Sequence, residues 1–346
     1  MKEGHDEAKH ERHERANAKD WKDNDLDCVK AVINRSVEIV NPEDALDGGK
    51  ACIFVCEGGC VLFKNHLFED YRKNWSGITG VTTKGEETSH MVCTDPQHEG
   101  LQIHELGPVS GKQGYVACRY VFKDGKPSEF RIYELDGKFE KTREIQANLA
   151  MNELFEYVME DAKGYVHVAF WRENDCHSYM VVSPEGEKVL ESDLGKGPGE
   201  IRLCAFGGGR VAVCDTTYDG NEINRDFFEA DLETGLLNRI AVLGDETVRG
   251  KMGEGLFAAT LVNDDEIAWC DLTGVWLYVM ENKDARLLYE WSKHEIDLHE
   301  IYDFTINGDG TIGLAYADHY GSAISLAMLI MSSLLFLTLP ERMKTS

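Results

Sequence analysis

Turn residues recur along this chain at a constant interval, and that interval constrains the fold more than any other feature of the sequence. Four alternating apolar segments each end in a turn, and the turns are spaced 49 residues apart. The four turn residues are Gly137, Gly186, Gly235 and Asp284. Equal spacing of chemically equivalent turns predicts a supersecondary unit that is repeated along the chain.

A second series of turns alternates with the first. Its anchor residues lie about 50 residues apart on average and are Gly59, Gly114, Gly164, Gly209, Asp265 and Gly310. The second and fourth residues after each anchor are apolar and share one strand face, and the second is always Val or Ile. The residue between them is small in four copies, namely Ala117, Ala212, Ala268 and Gly313. This alternation predicts an inner strand with one bulky and one slim face, packed between neighbouring sheets.

Each period therefore contains four strands joined by tight turns and one longer connection, and the Gly and Asp residues suit turns with positive φ. A four-stranded antiparallel unit repeated every forty to fifty residues resembles the β-propeller superfamily, here over residues 51–318 and without WD or kelch motifs. The resemblance implies an all-β fold of about six four-stranded blades, with seven possible. Residues 1–50 are then a charged leader that could contribute a closing strand, and residues 319–346 are an apolar tail.

The charge of the chain narrows its partners. Sixty-two acidic residues against 36 basic residues give a formal net charge of −26. A surface of that sign repels phosphate backbones, so we expect no nucleic-acid partner. Stacked blades present a rigid face rimmed by loops, and the ligand expected there is a protein, a peptide or a carbohydrate.

One segment has the spacing of a calcium-binding loop. In DTTYDGNEINRD, oxygen-bearing side chains stand at the first, third, fifth and twelfth positions, and glycine stands at the sixth. Alternate side chains can then converge on one cation while glycine permits the bend. The predicted ligands are Asp215, Thr217, Asp219 and Asp226, and calcium is a possible cofactor. Glu222 at the eighth position and the lack of predicted flanking helices favour instead a polar connection between strands.

No motif identifies a catalytic residue. The ionisable candidates for an active site at the channel mouth are His104, Glu153, His167 and Asp303, and no two of them occupy equivalent positions of the repeat. His167 falls in a predicted strand and is interpreted as structural. Two functions therefore stay open: a non-enzymatic ligand- or protein-binding propeller, and a propeller hydrolase or lyase with its active site at the channel mouth.

The end of the chain carries a second resemblance. The passage IYDFTINGDGTIGLAYAD followed by AISLAML is similar to a junction in large extracytoplasmic proteins of Firmicutes. In those proteins a propeller-like region precedes a solute-binding domain of the ABC-transporter type. The resemblance implies an extracytoplasmic sensing or docking module linked to solute uptake, with residues 319–346 as the remnant of a following domain.

The same tail also permits a weak membrane anchor. Residues 322–339 carry no charge, and as a helix they would span roughly 27 Å, against about 30 Å for a hydrocarbon core. The start of the chain lacks the pattern of a signal peptide. We therefore expect an extracytoplasmic or membrane-associated protein from the resemblance, and a cytoplasmic one if the sequence is complete. The sixth blade still lacks its outer strands, which residues 27–40 could supply; otherwise the ring is open.

Overall fold

A computed structural model describes most of the chain, and every statement below concerns those residues. The described residues are 37–39, 51–56, 59–66, 75–82, 87–93, 105–110, 114–123, 126–138, 140–147, 154–172, 175–219, 222–244, 258–271, 273–290, 300–306, 311–317 and 324–330.

The described part of the chain is built from β-strands. In chain order they are β1 (Val37–Ile39), β2 (Ala51–Cys56), β3 (Gly59–His66), β4 (Trp75–Thr82), β5 (Glu87–Cys93), β6 (Glu105–Pro108), β7 (Tyr115–Lys123), β8 (Lys126–Leu135), β9 (Lys141–Ala147), β10 (Leu154–Glu160), β11 (Val166–Arg172), β12 (Cys176–Val182), β13 (Lys188–Lys196), β14 (Gly199–Phe206), β15 (Arg210–Asp219), β16 (Glu222–Asp231), β17 (Leu236–Gly244), β18 (Ala258–Asn263), β19 (Glu266–Cys270), β20 (Gly274–Val279), β21 (Asp284–Glu290), β22 (Glu300–Ile306), β23 (Thr311–Ala317) and β24 (Ile324–Ile330).

These strands form six four-stranded antiparallel sheets, which are the blades of a β-propeller. Blades 1 to 5 each take four consecutive strands, and blade 6 takes β22, β23, β24 and β1. The predicted all-β propeller is confirmed, with six blades among the described residues.

The two series of turns occupy two fixed places in the blades. The anchors of the second series begin or precede the second strand of each of the six blades, and the turns spaced 49 residues apart join the third and fourth strands of blades 2 to 5. Gly164 (φ 90°) and Gly235 (φ 69°) show the positive φ that such turns require. The bulky-and-slim strand is therefore the second strand of its blade and has a hydrogen-bonded neighbour on each side, which confirms the predicted inner strand.

Blades are held together by burial of both faces of their second strands. In β7 the side chains of Val116, Ala117 and Cys118 are all fully buried, although successive residues point to opposite faces. Each face packs against a neighbouring blade, so a small residue on one side brings the next blade closer. In these strands Cys118, Cys214 and Cys270 are buried and unbridged, and burial raises the pKa of the Cys214 and Cys270 thiols.

The first described strand completes the last blade. Val37 pairs with Leu326 and Ile39 pairs with Ile324, so β1 is the outermost strand of blade 6. The segments 37–39 and 324–330 thus take part in a blade although they lie outside the predicted propeller limits of 51–318. The three predicted domain boundaries stay predictions. Within the described residues, no helix has both the length and the apolar character needed to cross a membrane.

We predict that a chain beginning at residue 41 is less stable than the full chain, because β24 loses its hydrogen-bonded neighbour. The thermal midpoint should fall by about 4 °C. A chain beginning at residue 31 keeps β1 and is the matched control. Equal midpoints for the two shortened chains would show that this strand pairing does not stabilise the ring.

The innermost strands of neighbouring blades approach each other at the backbone. Ser110 N donates to Glu160 O at 2.7 Å between blades 2 and 3, and Ala162 N donates to Gly209 O at 2.9 Å between blades 3 and 4. At Gly107 a Cβ would lie 1.6 Å from the carbonyl oxygen of Val158. Only glycine fits there while β6 and β10 keep this distance.

Gly107→Ala should therefore lower the free energy of unfolding by about 3 kcal/mol, because the added methyl forces blades 2 and 3 apart. Gly207→Ala is the control, since a Cβ at Gly207 would meet nothing within 4 Å. Its effect should stay within about 0.5 kcal/mol. Denaturant unfolding of both variants checks the prediction, and a Gly107→Ala protein as stable as the control would contradict it.

Candidate functional site

A cavity of about 80 Å³ lies among the innermost strands of blades 2 to 6. Consecutive residues of β14, from Arg202 to Ala205, all line it. The first strand of every blade contacts the first strands of the two blades beside it, so these six strands are the innermost ones and surround the propeller axis. The cavity therefore belongs to the central channel. Its polar lining residues are Arg202, Cys204, Thr260, Asp303 and Thr305, and most of the other lining residues are apolar.

Four residues of the innermost strands occupy one level of the channel. Tyr157, Arg202, Ala258 and Asp303 each stand seven residues before the turn anchor of their blade. Each also pairs with the residue five positions after that anchor; these partners are Ala169, Cys214, Cys270 and Ala315. The repeat thus brings Tyr157, Arg202 and Asp303 to equivalent positions in blades 3, 4 and 6.

An ion pair joins two blades that are not neighbours. Arg202 Nη1 of blade 4 donates to Asp303 Oδ1 of blade 6, past blade 5, where alanine stands at the equivalent position. The two side chains are 15% and 6% exposed. Phe304 N also donates to Asp303 Oδ1, at 2.9 Å. An ion pair this far removed from water is costly to break on one side only, because the remaining charge stays buried.

Neighbouring side chains hold the guanidinium of Arg202 in place. Its Nε lies 3.4 Å from Glu200 Oε2, and its Cζ lies 5.9 Å from the centre of the Tyr157 ring. The Tyr218 hydroxyl bonds to the same glutamate, and burial together with the charge of Glu200 raises the Tyr218 pKa. Close by, burial lowers the pKa of Arg225. The guanidinium of Arg202 is thus fixed at the channel by Glu200 and the Tyr157 ring.

Four ionisable residues were candidates for an active site. Within the described part of the chain, only Asp303 of these four lines the cavity. His104 and Glu153 lie outside those residues. His167 lies in β11, where its Nδ1 is 2.5 Å from the Tyr179 hydroxyl and its Nε2 is 3.5 Å from Asp161 Oδ2. Burial raises the pKa of that tyrosine.

The sequence argument missed Arg202 and Tyr157, although a signal for them was present. Both occupy the repeat position of Asp303, seven residues before an anchor. The apolar pattern that predicts the repeat runs forward from the anchors, into the second strands. Counting backward, into the strands that face the channel, would have brought the three residues together.

The predicted calcium ligands lie on one hairpin. Asp215 and Asp226 are direct cross-strand partners in β15 and β16, whereas Thr217 pairs with Asn224. Because β15 is extended, the Cα atoms of Asp215 and Asp219 are separated by about 13 Å. The structure therefore brings the backbones of Asp215 and Asp226 together. It does not bring the backbone of Asp219 beside them. The structure describes the backbone of Asp219 in β15 but not its side chain.

The two paired aspartates already have protein partners. Asp215 is buried and its Oδ1 bonds to His177 Nδ1 of blade 3, while Asp226 Oδ1 accepts from Arg239 Nη1 at 3.2 Å. The His177 ring packs edge-on against Trp171, with centroids 4.2 Å apart. Within the described part of the chain, no three His, Cys, Asp or Glu side chains are grouped closely enough to hold a metal ion. Calcium binding stays a prediction.

Comparisons with known proteins agree with the fold and go no further. No protein-family model matches the chain, and no curated protein matches it. The matching solved structures include propeller proteins. One is the six-bladed fucose-recognising lectin of Aleuria aurantia, at 13% identity over 84% of this chain and 98% of that chain, with a TM-score of 0.47.

Two further matches have other functions in their names. The oligogalacturonate lyase of Vibrio parahaemolyticus is 9% identical over 87% of this chain and 98% of that chain, with a TM-score of 0.45. The calcium-binding protein regucalcin of Agrobacterium tumefaciens is 13% identical over 86% of this chain and 95% of that chain, with a TM-score of 0.46. Likeness at this level concerns the fold alone.

Thermal unfolding with and without calcium tests the predicted loop. A bound ion stabilises the folded state by mass action, so a loop that binds calcium would raise the midpoint at millimolar calcium, whereas magnesium would leave it unchanged. Asp219→Ala removes the predicted ligand oxygen at the fifth position and would abolish such a shift. An unchanged midpoint for the original chain at millimolar calcium would rule the site out.

Proposed function

We propose that this chain is a non-enzymatic binding module that takes a polar ligand, a part of a protein, a peptide or a carbohydrate, at the mouth of its central channel. The observation that supports this most directly is the Arg202–Asp303 ion pair within the mainly apolar cavity. Sites for small ligands combine such walls with a few convergent polar groups that fix orientation.

The rigidity of the site also supports binding. Arg202 and Asp303 lie on β14 and β22, which are strands of two separate sheets. Groups fixed on strands lose little freedom when a ligand binds, so less of the interaction energy is spent on ordering. The guanidinium is also held in advance by Glu200 and by the Tyr157 ring.

Charge pairing favours binding over acid–base catalysis at this cavity. Asp303 is the carboxylate among the lining residues, and it accepts from Arg202 and from the Phe304 amide. Both donors bond to Asp303 Oδ1, so that oxygen is already engaged and is not directed at a substrate proton. The alternative function, a hydrolase or lyase at the channel mouth, would need a base from elsewhere at the rim.

The proposed setting is outside the cytoplasm or at a membrane, where the module would serve sensing or docking in solute uptake. The similarity of the passage IYDFTINGDGTIGLAYAD and of AISLAML to the junction in Firmicutes proteins supports this setting. The second of these segments lies largely within β24, the third strand of blade 6.

A binding screen on arrays of defined oligosaccharides and peptides tests the proposal. The original chain should retain a subset of the compounds, and Arg202→Gln should bind that subset about 10- to 100-fold more weakly, since a charge-assisted hydrogen bond is lost. Arg239→Gln removes a guanidinium that pairs with Asp226 on the outer part of blade 4, and it should bind like the original chain.

Two results would contradict the proposal. Retained compounds that bind Arg202→Gln and the original chain equally would move the site away from the channel. Retained compounds that are converted to products, detected by mass spectrometry after prolonged incubation, would favour the hydrolase or lyase.

A further inference from the structure

The ion pair at the channel points to one class of ligand. Resting on the proposed function, we infer that the channel mouth recognises a zwitterion, a free α-amino acid with a small side chain. Its carboxylate binds to Arg202 and its ammonium group binds to Asp303, so that the ligand takes the place of the direct contact between the two side chains.

Charge balance selects this class. Arg202 and Asp303 carry opposite charges and neutralise each other across the cavity. A simple anion would pair with Arg202 but would separate Asp303, which is 4% exposed, from the cation that faces it. A simple cation would separate Arg202 from Asp303 and leave it beside Glu200, whose side chain is 43% exposed. A zwitterion gives each side chain a new partner of opposite charge, so no buried charge loses its compensation.

The geometry of the two side chains suits the two ends of an amino acid. A guanidinium offers parallel N–H donors that match the two oxygens of a carboxylate, whereas an aspartate accepts from an ammonium group in several directions. Glu200 and Tyr157 already fix the guanidinium. At the equivalent position of blade 5 the chain has Ala258, the residue with the shortest side chain after glycine, between the two charged positions.

The size of the cavity limits the ligand. Its volume is about 80 Å³, roughly half that of a 150 Å³ cavity that holds benzene. Glycine, alanine and serine have a number of heavy atoms near that of benzene, so part of such a ligand stays at the open mouth. The other lining residues include Val158, Ala259 and Phe304, which offer no polar side chain to a larger polar ligand. A sugar ring with its hydroxyl groups is larger and carries no charge to replace the pair.

Calorimetric titration with L-alanine, and with two analogues that each lack one charge, tests the inference. Propionate keeps only the carboxylate, and ethylammonium keeps only the cation. L-Alanine should bind the original chain, and each analogue should bind at least about 10-fold more weakly, since a charge-assisted hydrogen bond is missing. A neutral methyl glycoside serves as the carbohydrate probe.

Variants assign the binding to the two side chains. Arg202→Gln and Asp303→Asn should each weaken L-alanine binding by about 10- to 100-fold, while Arg239→Gln, which alters a surface ion pair, should leave it unchanged. Near-ultraviolet circular dichroism checks that each variant is folded. If a single variant unfolds because one buried charge is left, the double variant carries neither charge, and it should fold and lose L-alanine binding.

Several outcomes would overturn the inference, and they are separable from failure of the proposed function. Propionate binding as tightly as L-alanine would make the site a general anion site. Binding of the methyl glycoside, lost in Arg202→Gln, with no binding of L-alanine would reject the zwitterion and keep the channel-mouth function. Array compounds that bind independently of Arg202, together with no binding of L-alanine, would reject both.

Discussion

Blade-to-blade packing is the interaction on which the rest of this structure depends. A single four-stranded sheet has two faces that are largely apolar here, and neither can be left to water. Residues on opposite faces of the second strands, such as Val116 and Ala117 in blade 2 or Val213 and Ala212 in blade 4, are almost fully buried because a neighbouring blade covers each face. The blades therefore stabilise one another, and the ring supplies a covered face to each of them.

Closure and the channel follow from that packing. Since every blade needs two neighbours, blade 6 must lie against blade 1, and the pairing of β1 with β24 ties the two ends of the chain into one sheet. The innermost strands then surround an axis, and backbone contacts such as that between Gly107 and Val158 set how closely they approach. The Arg202–Asp303 pair is possible because two blades separated by a third still face the same axis.

The sequence predicted the fold well and the site incompletely. Its turn spacing identified the blades, because glycine and aspartate favour the backbone conformations of tight turns. Asp303 was among the candidates for the channel mouth, but Arg202 and Tyr157 were not. Their relation to Asp303 depends on strand order and register, in which each of them pairs with the residue five positions after an anchor. His177 was missed as the partner of Asp215 for a similar reason, since the two lie on different blades.

The repeat, the all-β class and the acidic charge can be read from the sequence alone, and the turn anchors indicate about six blades. Each of these follows from local features, namely turn residues, alternation of side chains and composition. Tertiary packing was needed to show which strand faces the channel, which of the two alternatives for blade 6 is realised, and that an arginine of blade 4 meets an aspartate of blade 6. The β1–β24 pairing and the Arg202–Asp303 pair join residues that lie about 100 or more positions apart in the sequence. These contacts depend on how the blades pack around the axis, so no local sequence pattern predicts them.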